Sequence, residues 1–327
     1  MMKKIEMMKG AKRIVDDCIK VRESENVLII TDTNMPFSIA EVMAMACKER
    51  GAETMIMIMS PPRIAGNDPP PPVAEAMQKA QVIFYTCSRS IFHSPCRLRA
   101  TKAGARFFAF SDFTEDDMIR GAIEANFLET KVLVHKVADA LARAKEARVT
   151  TPAGTDIYLD FRGRPEGIVR HDAICHHPGD DAVSIILEAA ISPKVGTAHG
   201  IVVCDASATL LNPGAMQEPI RVVVKNGNAT DISGGPQASR VADLLAAMND
   251  PKVYNVAELG IGLNPKAKMT GAQTQDKGVY GTCHIGFGSN ITWGGNIKAA
   301  THFDLIMFAP KIDLDGFTLL ENYTFNL

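Results

Sequence analysis

Four uninterrupted apolar runs of strand length, NVLIIT (26–31), TMIMIM (54–59), VIFYT (82–86) and RFFAF (106–110), constrain the fold of this chain more than any other feature. A strand with one wet face alternates apolar and polar residues. A run without alternation is apolar on both faces, which is what a parallel sheet covered on both sides requires. The intervening segments supply the cover. SIAEVMAMACKERGAE (38–53) carries an amphipathic helical pattern, with Ser38 placed to cap it and Gly51 to end it. The pattern predicts an open α/β layer. SPPRIAGNDPPPP (60–72) is too poor in amide donors for a ladder or a helix and is expected as a surface loop. Thr114, with Asp117 three residues on, opens a helical pattern to about Glu146, expected as the last element of a first domain, residues 1–147.

From RVTTPAGTDIYLDFRGRP (148–165) onward the period changes to two, and Gly, Pro and Asn-Gly turns appear. In VVVKNGNATDI (222–232) the pair Asn226-Gly227 suits a two-residue hairpin turn. One helix, ASRVADLLAAMND (238–250), interrupts. The expected class is therefore α/β, an N-terminal open parallel α/β domain followed by a β-rich α+β domain over residues 148–327.

Composition and motifs exclude several functions. Lys plus Arg total 35 against 37 Asp plus Glu, a formal charge of −2 with no block of either sign, so neither nucleic acid nor an acidic membrane is an expected partner. Seven cysteines stand singly with no C-x-x-C, which fits a reducing compartment. The start, MMKKIEMMKG, lacks a following apolar segment, and no stretch approaches the roughly 18 apolar residues of a membrane span. A cytoplasmic protein is expected. The first predicted strand ends in ITDTNMPF, and GIGLNP (260–265) and GFGSNI (286–291) both fail G-x-G-x-x-G at the last position. With no G-x-x-x-x-G-K-[ST] either, nicotinamide and ATP chemistry are not expected.

Three strands of the second half do carry chemistry-bearing residues. Side chains two apart on a strand share a face. In THFDLIM (301–307) His302 and Asp304 therefore lie together, and in GTCHIGFG (281–288) His284 joins Thr282, Gly286 and Gly288. In VAELGIGLNP (256–265) Glu258 joins Gly260 and Gly262. Each strand shows one apolar face and one face with a donor among small residues, and burying such donors without a partner costs several kcal/mol by the usual order of magnitude. A divalent cation is the partner that satisfies them all, and the flanking glycines leave room for exchangeable positions and a substrate. Taken alone, a strand histidine is ordinarily a hydrogen-bonded core residue, and H-x-D is a short motif.

TPAGTDIYLDFRGRP (151–165), EAAISPKVGTAHGIVV (188–203), AELGIGLNP (257–265), CHIGFGSN (283–290) and THFDLIM (301–307) together resemble the C-terminal half of the thermophilic metallopeptidase family typified by aminopeptidase T. A shorter relative of that family, similar in length to this chain, is 2,5-dihydroxypyridine 5,6-dioxygenase. The resemblance implies a metal site of two glutamates, two histidines and an aspartate, falling on Glu188, Glu258, His284, His302 and Asp304. Without it Glu188 reads as a solvated rim carboxylate. The peptidases carry a tyrosine seven residues after the first motif histidine, where this chain has Ile291, so a phenol that could serve an oxyanion is missing.

The reading so reached is a metal-dependent hydrolase of the aminopeptidase kind, acting on a small amide or short peptide. Glu188, Glu258, His284, His302 and Asp304 hold zinc, cobalt or manganese, and Glu188 or Glu258 is the general base. His199, eleven residues after Glu188, is a proton shuttle or substrate contact, and Trp293 packs near the site. The alternative is a mononuclear non-haem Fe(II) ring-cleaving dioxygenase similar to 2,5-dihydroxypyridine 5,6-dioxygenase, favoured by chain length and by Ile291. A homodimer is expected in either case. His176 and His177 read as polar loop, and His93, His135 and His171 as ordinary surface or core residues.

Overall fold

The computed structural model describes residues 2–63, 66–92, 94–164 and 167–327, so His93 and part of the proline-rich 60–72 stretch lie outside the described residues. The chain divides into two compact units, Met1–Lys131 with His171–Ile186, and Val132–Arg170 with Leu187–Leu327.

The first unit holds a five-stranded parallel sheet in the order Glu53–Met59, Asn26–Asp32, Val82–Thr86, Arg106–Ala109, Asp181–Val183. Four of these strands are the apolar runs. Val82–Thr86 and Arg106–Ala109 are wholly buried, as unbroken apolarity demands. Glu53–Met59 forms an edge and leaves Met55 and Ile58 more than half exposed, so equal apolarity does not mean equal cover. The helix after the first strand spans Phe37–Glu49 and stops before Gly51, whose φ of 78° lies in the left-handed region. Ser38 does not cap it, because the helix begins one residue earlier behind Pro36 and the Ser38 hydroxyl donates to Glu115. The prolines of the 60–72 stretch end inside a helix, Pro71–Met77, because the first helical turn needs no amide donor. Thr114 and Asp117 do bond to each other, but they close a turn. Gly121, at φ 81°, interrupts the pattern, and the long helix runs over Phe127–Arg143.

Among the described residues of this unit, the buried charges of Asp32 and Arg106 are answered by the protein itself. Asp32 accepts from the Asn34 amide at one oxygen and from the Ser88 amide and hydroxyl at the other. Arg106 pairs with Glu25 at 2.5 Å and donates to the carbonyls of Ile19 and Lys20.

The second unit contains two sheets. One has eight strands, in the order Asn228–Gly234, Ile220–Lys225, His199–Cys204, Asp156–Asp160, Glu146–Thr150, Lys311–Leu314, Phe317–Glu321, Thr324–Phe325. Its first two strands meet at Asn226-Gly227, both with positive φ, with Lys225 paired to Asn228. The other has six, in the order Ser207–Ala208, His302–Met307, Cys283–Gly288, Val256–Gly262, Glu188–Ile191, Ile168–His171. The apolar face of this second sheet is core, with Phe287 and Phe303 stacked at 5.6 Å and Cys283, Ile285, Leu259 and Ile261 fully buried. No helix among the described residues is long and apolar enough to cross a membrane. The structure is thus mixed α/β, a parallel sheet plus separate antiparallel sheets.

Candidate metal centre

Four neighbouring strands of the six-stranded sheet carry Glu188, Glu258, His284, His302 and Asp304, and antiparallel register brings them to one face. Every one of the five sits opposite a glycine on the adjacent strand. Glu188 pairs with Gly262, His284 with Gly260, His302 with Gly288, and Glu258 and Asp304 both with Gly286. Directly opposed residues on a face are otherwise close enough to touch, so glycine is what admits a donor beside each strand. At Gly260 a Cβ would lie 2.0 Å from His284 Nε2, and at Gly286 it would crowd His302, Asp304 and Glu258 at 2.8–2.9 Å. The space opened by Gly260 and Gly286 is therefore filled by the donors themselves, not left for a substrate.

The donors converge in two groups that share Glu258, one with Glu188 and His284 and one with His302 and Asp304. Glu258 Oε1 lies 3.6 Å from His284 Nε2, and Glu258 Oε2 lies 3.0 Å from His302 Nε2. His284 Nε2 is 3.6 Å from Glu188 Oε2, and His302 Nε2 is 3.1 Å from Asp304 Oδ1. Glu188, Glu258, His284 and Asp304 are all buried, while the His302 side chain keeps 18% exposure. Both oxygens of Glu258 and both ring nitrogens of His284 have no hydrogen-bond partner. Leaving such groups unsatisfied costs roughly 1–3 kcal/mol each. Lone pairs that approach one another without hydrogen-bond geometry are what a cation between them would satisfy, and carboxylates with imidazoles are a fitting donor set for a divalent ion.

His302 is held from behind. Its Nδ1 donates to the Ser289 carbonyl at 2.9 Å, which turns Nε2 toward the carboxylates. Trp293 stacks on the His302 ring, centroids 4.4 Å apart, and Arg164 in turn holds the Trp293 and Gly294 carbonyls. Burial pulls the His302 imidazole down, but Asp304 and then Glu258 push its pKa up to about 10. Burial pushes the Glu258 carboxyl up, yet Lys277 followed by the two imidazoles holds it well below the usual carboxylate range. Asp304 is held low against the same burial by Lys277 and His302.

Lys277 is the residue that sequence reasoning missed. It is buried, with Nζ 3.2 Å from Asp304 Oδ2 and 3.7 Å from Glu188 Oε1. Burial lowers its pKa, and the carboxylates of Asp304, Glu188 and Glu258 more than reverse that. In QTQDKGVYG (273–281) it stands among polar and turn-forming residues that give no period, so nothing in the pattern separates it from a surface lysine. His199 is not in the cluster. It opens a strand of the eight-stranded sheet, is exposed, bonds Thr197 through Nδ1 and lies 5.0 Å from the Tyr158 ring.

Comparison with known proteins places the chain in a family. The family model described as NicX, 2,5-dihydroxypyridine 5,6-dioxygenase, matches residues 6–325. A curated 2,5-dihydroxypyridine 5,6-dioxygenase of Pseudomonas putida KT2440 is 27% identical over 255 residues, 73% of this chain and 69% of that protein. The solved structure of the 2,5-dihydroxypyridine dioxygenase from the same organism superposes with a TM-score of 0.82 at 19% identity, covering 99% of this chain and 97% of that one. Wild-type AmpT from Thermus thermophilus shares the fold more distantly, with a TM-score of 0.65 at 13% identity over 99% and 100% of the two chains.

These matches overturn the expected hydrolase, aminopeptidase or metalloprotease activity. The error has a physical source. Acid and imidazole donors at fixed spacing specify a place for a cation, and the resemblance that carried them extends across proteins with different reactions. Ile291, in place of a tyrosine, was the residue that pointed away from peptide hydrolysis. The chain belongs to the 2,5-dihydroxypyridine 5,6-dioxygenase family.

Proposed function

We propose that the chain is a mononuclear non-haem Fe(II) dioxygenase that opens the ring of a hydroxylated pyridine, a small-molecule substrate. The observation that carries the reading is the family match over residues 6–325 in a chain whose five donors share one face of one sheet. Glu188, Glu258, His284, His302 and Asp304 would hold the ion. Bound Fe(II) supplies the one-electron and dioxygen chemistry that amino-acid side chains lack.

The chain's own residues prepare that chemistry. The carboxylates neutralise the cation, and the Ser289 carbonyl fixes the ring orientation of His302 so that Nε2 faces inward. Trp293 covers one face of that imidazole and shields it from water on that side. Among the described residues, no tyrosine stands where the peptidases keep theirs, which fits a reaction without a tetrahedral oxyanion.

The test is anaerobic purification, loading with Fe(II), and measurement of oxygen consumption on 2,5-dihydroxypyridine and related hydroxylated rings. Uptake that depends on both iron and ring is expected. Iron-loaded, folded protein that consumes no oxygen with any such ring would remove the reading.

A further inference from the structure

Lys277 follows directly on the short helix Gln273–Asp276, whose last residue is tied down by the amides of Thr270 and Gly271 at Asp276 Oδ1. The lysine side chain is 9% exposed and reaches one carboxylate from each donor group, Glu188 of the group with His284 and Asp304 of the group with His302. Glu258 is common to both groups. Two overlapping groups joined through a shared carboxylate are the layout of a two-ion centre, in which the ions stand about 3.5–4 Å apart. Here an ammonium already lies against the outer carboxylates of both.

We propose that Lys277 fills, with its own charge, the place of a second cation, so that the five-donor set accepts one divalent ion and not two. The inference deepens the reading above and rests on its metal centre. Three buried carboxylates and one ammonium leave a deficit of two positive charges, since imidazoles ligate as neutral groups. One divalent ion closes that deficit. A second would leave the buried cluster with uncompensated positive charge, which the interior penalises heavily, and would stand beside the ammonium. The amine also differs from a metal in what it offers, because it pairs by charge with Asp304 and Glu188 but has no open coordination position.

The experiment titrates metal-free, full-length protein anaerobically with Mn(II), by calorimetry and electron paramagnetic resonance, in the wild type, K277R and K277Q. Wild type and K277R should saturate at one ion per chain, with the spectrum of isolated Mn(II). K277Q, polar but without the charge, should take a second ion at least about tenfold more tightly, with a spin-coupled spectrum. K277Q that melts like the wild type yet still stops at one ion would overturn the proposal, and so would two ions in the wild type. Should K277Q not fold, the wild type decides alone, because a second ion bound at millimolar Mn(II) with Lys277 in place refutes the proposal and saturation at one supports it. Protein that binds no Mn(II) or Fe(II) at all would sink the metal centre itself and this proposal with it. One bound iron without oxygen uptake would strike only the reaction and leave the assignment of Lys277 standing.

Discussion

In the parallel sheet of the first unit, Asp32 is 2% exposed and each of its oxygens accepts a hydrogen bond. In the six-stranded sheet of the second unit, Glu258 is fully buried and neither of its oxygens has a hydrogen-bond partner. The same contrast holds for cations and rings, since Arg106 is closed off by Glu25 and two carbonyls while His284 has both nitrogens unanswered. Burial of charge is therefore not what distinguishes a site from a core. The difference lies in whether the protein completes the group's bonding by itself, and at the carboxylates of this site it does so only in part, through Lys277 and His302.

Four substitutions would break or sharpen that contrast, given in order of effect. His284→Ala should abolish turnover and lower ion affinity by well over ~100-fold, beyond what loss of an outer partner costs, as read by elemental analysis and oxygen uptake. Normal metal content in the variant would remove His284 from the site. Arg106→Met should destabilise the protein by about 2–4 kcal/mol in urea unfolding, because it leaves the largely buried Glu25 carboxylate with the Arg22 amide alone and the Ile19 and Lys20 carbonyls without their donor. A loss below about 1 kcal/mol would show that the first unit tolerates unanswered charge after all. Gly260→Ala should cost roughly 1–3 kcal/mol and also weaken ion binding, because the new methyl displaces the His284 ring; wild-type affinity would mean the ring can move without consequence. Smallest, Glu258→Gln should lower the stability of the metal-free protein by about 1 kcal/mol, since Lys277 and the two imidazoles favour the ionised carboxylate in the fold. A loss above about 3 kcal/mol with ion affinity unchanged would place Glu258 with Asp32, as a structural carboxylate.

The legible parts of the molecule are those governed by local periodicity. NVLIIT and VIFYT read as doubly covered strands because nothing polar interrupts them, and both are inner strands of the first sheet. His284, His302, Asp304 and Glu258 stood out because each interrupts a small-residue face at a spacing of two, and the structure gathers them together. Glu188 needed the family resemblance, since one carboxylate beside EAAISP has no period to mark it. What depends on long-range assembly was not legible. The strand Asp181–Val183 joins the first sheet from far along the chain with three residues and no apolar run. Lys277 acquires its role only through contact with carboxylates 27 and 89 residues away. The choice of reaction escaped for a different reason, because ligands constrain the ion and not the substrate.

The glycine opposite each donor has a dynamic consequence. Cross-strand side-chain contacts are a main source of sheet cohesion, and on this face the metal-free sheet has glycine where those contacts would be. Its central amides, those of Gly260 and Gly286 among them, should exchange with deuterium faster than the amides of Leu28 and Ile29 in the first sheet. A bound ion would restore the missing link by joining donors from neighbouring strands, so loading should slow exchange there while leaving the parallel sheet unchanged. The ion would then act as the rivet of the sheet that carries it.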